Sequence, residues 1–235
     1  MEIVCDLHIH SCLSPCADND MTPANIAGMA HVAGVQLISV CDHNSAENLP
    51  AVKKSCDEYG VFLLPGIEAN TAEEIHVLCY FPTVETALDM SNLLYEKLPP
   101  VPCKEEIYGE QIMMNEKDEE TGRAEKLLIN ATALTLDETV KETKARGGVC
   151  VPAHIDRDSY SVISALGLMP EQPFFETVEF TNIANRDKFI YNSHITEETE
   201  ILLSSDAHYL QDIAREEHIL DENSVLWELI QQVCK

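Results

Sequence analysis

Two histidines near the start of the chain, His8 and His10, are separated by one residue and follow the apolar run 3–5. A short apolar run that ends in alternating polar residues is typical of a buried strand that reaches a surface. Side chains two residues apart on a strand point the same way, so Asp6, His8 and His10 are predicted to share one face. Two adjacent imidazoles at a strand end commonly begin a transition-metal site, although histidines packed in a barrel wall give the same pattern.

Similar fragments recur along the chain and favour the metal hypothesis. Six of the nine histidines lie at predicted strand edges: His8, His10, His43, His76, His154 and His208. With Glu68 and Asp206 they form a nitrogen and oxygen ligand set large enough for more than one divalent ion. The two oxygens of Glu68 can bridge two cations, which acidify a water between them. Such a water can attack phosphorus while the cations neutralise the phosphoryl oxygens.

The elements that would position these residues alternate between strands and helices. The predicted strands start at residue 3 and continue with 37–41, 61–67, 73–81, 149–153, 177–180 and 201–205, and the predicted helices are 24–33, 46–59, 83–98, 136–146 and 224–233. Near-continuous apolar strands that alternate with helices indicate an α/β fold with a mostly parallel sheet buried on both faces. Strand 73–81 follows its predecessor so closely that an antiparallel hairpin is predicted there.

The pattern weakens between residues 83 and 130, where acidic residues and prolines interrupt it. We interpret this stretch as an acidic helical insertion or lid, for which a solvated acidic face is the simpler alternative. The chain has no internal repeat and no long linker, so residues 1–235 are predicted to form a single domain.

Charge and cysteine usage limit the function classes. The chain has 41 acidic and 15 basic residues and a formal net charge of -26. Such a surface repels polyanions, so long nucleic acid and anionic membranes are predicted not to be partners. A small anionic substrate remains compatible if bound cations reverse the local sign. Nine scattered cysteines, with no signal segment and no apolar run of about 18 residues, indicate free thiols in a reducing cytoplasm.

An ordered set of fragments resembles the PHP (polymerase and histidinol phosphatase) family. The fragments are Asp6-Leu7-His8-Ile9-His10-Ser11, Asp42-His43, Gly66-Ile67-Glu68, Ile75-His76-Val77-Leu78, Pro152-Ala153-His154 and Ser205-Asp206-Ala207-His208. They run in the family's order from residue 6 to residue 208. The resemblance implies a distorted (β/α)7 barrel, similar to a TIM barrel, with two or three divalent metal ions at its C-terminal mouth.

The resemblance also implies a ligand set. One ion would be held by His8, His10, Glu68 and Asp206, a second by Glu68, His76 and His154, and a third by His43, His208 and a residue from the loop after His10. At that loop position the family often has an Asp or His, but this chain has Pro15 and Cys16. A Cys16 thiolate would favour zinc or iron over manganese, and Asp18 or Asp20 is the alternative ligand.

Residues around the ligands have predicted supporting roles. Asp42 and Asp6 are expected to support the ligands, Asp6 by a hydrogen bond to an imidazole. Arg157, three residues after His154, is the predicted phosphate-binding side chain, and a salt bridge to Asp156, Asp158 or another carboxylate is the alternative. Arg186 is a weaker second choice. The remaining histidines, His31, His194 and His218, are expected to be structural or exposed.

These residues predict a metal-dependent phosphoesterase for a small phosphorylated metabolite or nucleotide. Glu68, Asp206 and Arg157 are its predicted catalytic residues. Amidohydrolases also begin with two histidines on a barrel strand, so hydrolysis of a C–N bond is one alternative. No strand-end lysine is found here that would serve as a bridging carbamate. A non-catalytic metal-binding regulatory module is the other alternative.

Overall fold

Short apolar strands and helices alternate along the chain, as described by the computed structural model for residues 2–190, 195–215 and 218–234. The strands within these ranges are β1 (Ile3–Ile9), β2 (Leu37–Val40), β3 (Phe62–Leu63), β4 (Gly66–Asn70), β5 (His76–Tyr80), β6 (Ile112–Met114), β7 (Glu120–Arg123), β8 (Val149–Pro152), β9 (Thr177–Phe180), β10 (Glu200–Leu203) and β11 (His218–Leu220). The α-helices are α1 (Pro23–Ala33), α2 (Leu49–Tyr59), α3 (Val84–Lys97), α4 (Glu105–Tyr108), α5 (Leu136–Ala145), α6 (Val162–Leu166), α7 (Arg186–Ile190) and α8 (Trp227–Val233). The predicted α/β class is confirmed.

The strands form four sheets, and the largest has the order β11-β1-β2-β3. Strands β1, β2 and β3 are parallel, whereas β11 is antiparallel to β1. A second sheet, β4-β5-β8, is antiparallel throughout, and β9 and β10 form a parallel pair. The sheet that contains β1 is mixed and open, so the predicted (β/α)7 barrel is not confirmed.

Isolated bridges join these sheets at the positions that matter for the site. Ile9 pairs with Ala207, which links β1 to the segment after β10, and His43 pairs with Glu68, which links the segment after β2 to β4. The predicted histidine-bearing ends of β1, β2 and β10 are therefore held beside β4.

The predicted strand 61–67 is interrupted by Pro65, which lacks a backbone N–H and cannot donate to a strand ladder. The chain therefore forms two strands, β3 and β4, and Glu68 lies in the middle of β4 and not at a strand end. The predicted antiparallel hairpin is confirmed, because β4 and β5 pair with Asn70 opposite His76. Five residues between the two strands are too few for a parallel crossover.

Helix α1 follows its sequence signals closely. The Thr22 side chain accepts a hydrogen bond from the Asn25 backbone N–H, Pro23 occupies the first turn, and Gly34 ends the helix at φ 79°. That left-handed conformation favours glycine. Ile26 and Ala30 on this helix belong to the same buried core as Val52 of α2 and Ile38 of β2.

A second apolar cluster lies on the other side of the sheets. It contains Leu7, Leu78 and Tyr80 from the strands and Leu229 and Ile230 from α8. The strands are buried on both sides, as the near-continuous apolar runs predicted. The Tyr80 hydroxyl donates to the Leu7 carbonyl oxygen at 3.0 Å, so the phenol adds a directed contact to this cluster.

The stretch 83–130 differs from the predicted helical insertion. Its first part is the predicted helix α3, but the rest contains only the four-residue helix α4 and the hairpin of β6 and β7. The hairpin is tied to the loop after β1, because Ile112 N–H donates to the Cys12 carbonyl oxygen at 2.9 Å. The Asp118 carboxylate accepts from Thr22 Oγ1 and the Ala24 backbone N–H at the start of α1.

Two further observations concern membrane-spanning helices and cysteines. Within residues 2–190, 195–215 and 218–234, no helix has both the length and the apolar character needed to cross a membrane. Each of the nine cysteines is a free thiol.

Candidate metal centre

The structure brings the strand-edge histidines and two carboxylates together in one buried cluster. Its eight members, joined by nitrogen–oxygen distances of 2.9–3.7 Å, are His8, His10, His43, Glu68, His76, His154, Asp206 and His208. We call this set the histidine cluster. Its members come from β1, β4, β5 and the segments that follow β1, β2, β8 and β10.

Glu68 lies at the centre of the histidine cluster and is 1% exposed. Its Oε1 is 2.9 Å from His76 Nδ1 and 3.1 Å from His154 Nε2. Its Oε2 is 2.9 Å from His43 Nδ1. Burial raises the pKa of this carboxyl, but His76, His43 and His8 outweigh burial and hold the pKa well below its usual value. Glu68 is therefore an anion whose two oxygens face different imidazoles.

Asp206 faces the first two histidines. Its Oδ1 is 3.1 Å from His10 Nε2 and 3.4 Å from His8 Nε2. Burial raises the pKa of Asp206, but His8 and His10 outweigh it, and the pKa is held well below its usual value. Its other oxygen, Oδ2, lies 2.7 Å from Arg157 Nη2.

The Nδ1 atoms of His8 and His10 each donate a hydrogen bond. In the neutral imidazoles the lone pair is therefore on Nε2. His8 Nδ1–H donates to the Glu179 carboxylate, 3.1 Å from both oxygens. His10 Nδ1–H donates to Ser14 Oγ at 3.0 Å, because the Ser14 hydroxyl itself donates to Asp42 Oδ1 at 2.7 Å. A metal-binding imidazole commonly donates its other N–H in this way. The Nε2 atoms are left facing each other at 3.2 Å.

The carboxylates around His8 favour the protonated form of its imidazole. Burial lowers its pKa, but Glu179, Asp206 and Glu68 outweigh burial and raise the pKa well above its usual value. A cation and a proton therefore compete for His8 Nε2. In contrast, burial and His208 lower the pKa of His10 well below its usual value.

Several buried polar atoms of the histidine cluster make no hydrogen bond, and a bound cation would give them a partner. Despite nitrogen–oxygen separations as short as 2.9 Å, the buried atoms that make no hydrogen bond include Glu68 Oε2, Asp206 Oδ1, His43 Nδ1 and His76 Nδ1. Unpaired buried polar groups cost about 1–3 kcal/mol each, and more if charged. Ligands in a tetrahedral zinc site stand about 3.3 Å apart, given Zn–N bonds of about 2.0–2.1 Å. The separations in the cluster match this spacing, so its residues fit divalent cations.

Among the residues that the structure describes, three overlapping groups satisfy the distance requirement for a common ion: His8, His10 and Glu68; His43, Glu68 and His76; and His10, His43 and His208. Imidazole and carboxylate ligands suit zinc, iron and manganese. Because Glu68 belongs to two of the groups, it is placed to bridge neighbouring cations.

Buried carboxylates hold the backbone of two loops in strained conformations. His154 and Asp206 have φ angles of 31° and 49°, in a left-handed region that side chains with a Cβ rarely adopt. Glu179 accepts a hydrogen bond from His154 N–H at 2.9 Å. Asp6 accepts from Ser205 N–H at 3.0 Å. The expected bond from Asp6 to an imidazole is replaced by this contact to the loop that carries Asp206.

Cys16 lies beside two histidines of the cluster. Burial raises the pKa of its thiol, but His43 and His208 outweigh burial and lower the pKa to about 7. His208 Nδ1–H donates to the Asp206 carbonyl oxygen at 2.8 Å, which leaves its Nε2 lone pair available. The alternative ligand Asp18 instead accepts from the Asp20 backbone N–H.

The other residues considered from sequence lie elsewhere. His31 is exposed on α1, His218 lies on β11 opposite Cys5, and His194 falls outside the described residues. Arg186 is 3.8 Å from Asp187 on its own helix. Asp156 accepts hydrogen bonds from Thr181 and Asn185, and the salt bridge expected as the alternative for Arg157 is formed with Asp206.

Sequence reasoning missed three residues that touch the cluster: Glu179, Ser14 and Tyr160. The one available signal for Glu179 was its place as the single acidic residue in strand β9, where it is 2% exposed. A buried acid in an apolar strand requires a partner. Ser14 and Tyr160 had no comparable signal, because loop geometry alone brings them to His10 and His76.

Comparison with known proteins gives a fold and a short sequence match. No protein-family model matches the chain. A 5'-3' exoribonuclease from Haemophilus influenzae is 30% identical over 76 residues, which are 31% of this chain and 27% of that enzyme. The chain therefore spans about a quarter of the curated relative it matches.

Three solved structures share the fold at low sequence identity. Endonuclease Q from Pyrococcus furiosus has a TM-score of 0.65 and 18% identity over 99% of this chain and 55% of its own. A candidate metal-dependent phosphoesterase from Bifidobacterium adolescentis has a TM-score of 0.64 and 15% identity, covering 97% and 96% of the two chains. An amidohydrolase from Chromobacterium violaceum has a TM-score of 0.59 and 16% identity over the same shares. The fold is thus one found among hydrolases.

The prediction that excluded long nucleic acid is wrong. Endonuclease Q, which shares this fold with a TM-score of 0.58 in its complex, holds a 27-mer duplex with an abasic lesion at the active site. Net charge is a poor guide here because charges beyond about 8 Å are largely screened at physiological ionic strength. Cations bound at the histidine cluster would also reverse the sign of the potential where a phosphate would bind.

Proposed function

We propose that this protein is a metal-dependent phosphoesterase that acts on the phosphate ester of a nucleotide or of a nucleic acid. The observation that carries the proposal is the central position of Glu68, with an imidazole 2.9 Å from each of its two oxygens. A buried carboxylate with ligands on both sides suits a pair of cations.

The proposed ligand sets follow the family resemblance, and each shares at least two residues with one of the three distance groups. One ion would take His8, His10, Glu68 and Asp206; a second would take Glu68, His76 and His154; a third would take His43, His208 and Cys16. When bound, such cations neutralise phosphoryl oxygens and activate water for attack on phosphorus. Cys16 is preferred over Asp18 and Asp20 because its sulfur faces His43 and His208.

Arg157 is the side chain that we propose binds the phosphate of the substrate. Its side chain is 44% exposed, and Nη2 contacts Asp206 at 2.7 Å. A guanidinium has five N–H donors, so this contact leaves others for phosphate oxygens. The backbone N–H of Arg157 donates to the His154 carbonyl oxygen at 2.9 Å, which fixes the residue beside a predicted metal ligand.

A nucleotide or nucleic acid substrate is supported by two relatives. The sequence match is to an exoribonuclease, and one structure of the same fold is a DNA endonuclease. Both proteins act on phosphodiesters of polynucleotides. A panel of substrates distinguishes cleavage of a mononucleotide, of a chain end and of an internal bond.

Hydrolysis of a C–N bond is the second candidate, because an amidohydrolase shares the fold. The central position of the cluster is taken by Glu68 and not by a lysine, which favours the phosphoesterase.

A substrate panel separates the two functions. The protein would be loaded with manganese, zinc or iron and offered nucleoside monophosphates, 5'-phosphorylated RNA, duplex DNA with an abasic site, and a set of cyclic and acyclic amides. We expect cleavage of phosphoesters that stops when a chelator is added. Cleavage of amides alone would support the second candidate, and no cleavage by the metal-loaded protein would support a non-catalytic metal module.

A further inference from the structure

Tyr160 lies against the histidine cluster but has no place in the function proposed so far. Its ring stacks on the imidazole of His76, with centroids 4.7 Å apart and planes inclined by 23°. Its carbonyl oxygen accepts a hydrogen bond from the His76 backbone N–H at 2.8 Å. The residue is nevertheless 48% exposed, so Tyr160 is accessible to solvent at the edge of the cluster.

The backbone at Tyr160 is strained. Its φ angle is 56°, in the left-handed region where a bulky residue is uncommon. Strained residues of this kind persist where the surroundings hold them, and they concentrate at functional sites. The neighbouring Ser161 helps to fix the conformation of this loop, because its hydroxyl donates to the Arg157 carbonyl oxygen at 2.8 Å.

One loop presents three different chemical groups at three-residue intervals. His154 is a predicted metal ligand, Arg157 carries the cation for phosphate, and Tyr160 carries the exposed ring. A nucleotide has the matching parts: a phosphate, a sugar and a flat base. Aromatic rings bind bases of any sequence by stacking.

We propose that Tyr160 stacks on a nucleobase of the substrate, and that the enzyme therefore selects phosphates that carry a base. This inference rests on the proposed function, since it assigns a substrate class to the same site.

The charges around Tyr160 support this orientation. The ring borders a shallow cavity of about 320 Å³ whose other lining residues include Glu73, Glu74 and Asp158. These acidic side chains repel a phosphate but tolerate a neutral base. The phosphate is thereby directed to Arg157 and the cations, and the base to Tyr160.

Binding of two probes tests the proposal without requiring turnover. Adenosine 5'-monophosphate and ribose 5-phosphate carry the same phosphate and sugar, but only the first has a base. Their dissociation constants would be measured calorimetrically with the manganese-loaded protein and with its Tyr160→Leu, Tyr160→Trp and Tyr59→Leu variants. Tyr59 is a matched control, because it is 41% exposed and lies on α2 beside His31.

We expect Tyr160→Leu to weaken binding of the adenosine probe by roughly 5- to 150-fold, as loss of one stacked base implies. Binding of ribose 5-phosphate should be unchanged, Tyr160→Trp should retain base binding, and Tyr59→Leu should alter neither probe. Equal changes for both probes, or no change for either, would overturn the proposal. So would a loss of manganese in Tyr160→Leu that accounts for the weaker binding, because the ring would then only support His76.

Hydrolysis of the same probes is recorded separately. If the unaltered protein cleaves no phosphoester, the proposed function fails. The ratio of the two dissociation constants still decides the role of Tyr160.

Discussion

At the scale of single residues, the cluster depends on groups that fix each imidazole. The histidines themselves could be predicted, because each stands beside an apolar run that marks a strand. Their hydrogen-bond partners could not be assigned, since loop geometry brings Ser14 to His10 and the packing of a distant strand brings Glu179 to His8. Sequence spacing identifies ligands that share one face of a strand. It does not identify the residues that hydrogen-bond to those ligands, because their positions depend on the folded chain.

Glu179→Ala is expected to weaken metal binding by about 10- to 100-fold, although Glu179 is not itself a predicted ligand. The substitution removes the acceptor for His8 Nδ1–H, so the imidazole loses its orientation and its protonation pattern. Competition with a chelator of known affinity would measure the change. Glu176→Ala, an exposed glutamate just before β9, is the control and should bind metal normally. Equal affinities for the two variants would contradict the role given to Glu179.

Alkylation of Cys16 should depend on both pH and bound cation. His43 and His208 lower its thiol pKa to about 7, so in chelated protein the reactive thiolate grows as the pH rises from 6 to 8. Cys103, whose pKa is raised by burial and by Glu105, should react more slowly over this range. Labelling with iodoacetamide and mass spectrometry would follow both thiols. Added zinc should protect Cys16 and leave Cys103 unchanged, and equal labelling of Cys16 with and without zinc would argue against a thiolate ligand.

At the scale of elements, the sequence predicted helices and strands where local signals were strong. The Thr22, Pro23 and Gly34 signals place α1 within one residue of its observed bounds. The hairpin of β6 and β7 was missed because strands of three and four residues show too little alternation to be recognised. Its position is fixed by side-chain contacts to other elements.

Asn48 is the residue that joins this hairpin to the loop after β1. Its Oδ1 accepts from Met114 N–H at 2.9 Å, and its Nδ2 donates to Ser11 Oγ and to the Ile112 carbonyl oxygen, both at 3.0 Å. Because the Asn48 side chain is fully buried, Asn48→Ala should lower the free energy of unfolding by about 2–3 kcal/mol. Urea unfolding would measure the loss. The control Asn92→Ala, at an exposed position on α3, should change it by less than about 0.5 kcal/mol. A similar result for Asn48→Ala would show that the hairpin is held by other contacts.

At the scale of the whole molecule, the alternation of apolar strands and helices predicted the α/β class, whereas the net charge misjudged the partners. The net charge of -26 describes the average surface, whereas a substrate responds to the few groups and cations within its own reach. The (β/α)7 barrel implied by the family resemblance is not confirmed, because the sheet that contains β1 is mixed and open. The pairing of β4, β5 and β8 into an antiparallel sheet depends on which strands become neighbours.

Bound cations should stabilise the entire fold. Without a cation, the cluster buries two carboxylates whose Glu68 Oε2 and Asp206 Oδ1 have no hydrogen-bond partner. A cation that binds only the folded chain adds about 2.7 kcal/mol at a concentration 100 times its dissociation constant. Thermal unfolding with increasing manganese should therefore show a rising Tm, and the shift should be lost in His8→Ala. A Tm independent of manganese would contradict a folded-state metal site.

The central claim is that the histidine cluster holds cations that carry out phosphoester hydrolysis. The most direct test measures metal content and phosphoester cleavage together in the unaltered protein, in His8→Ala and in His31→Ala, the exposed histidine of α1. We expect His8→Ala to lose bound metal and to lower activity by more than about 100-fold, while His31→Ala retains both. Full metal content and full activity in His8→Ala would contradict the assignment of the site.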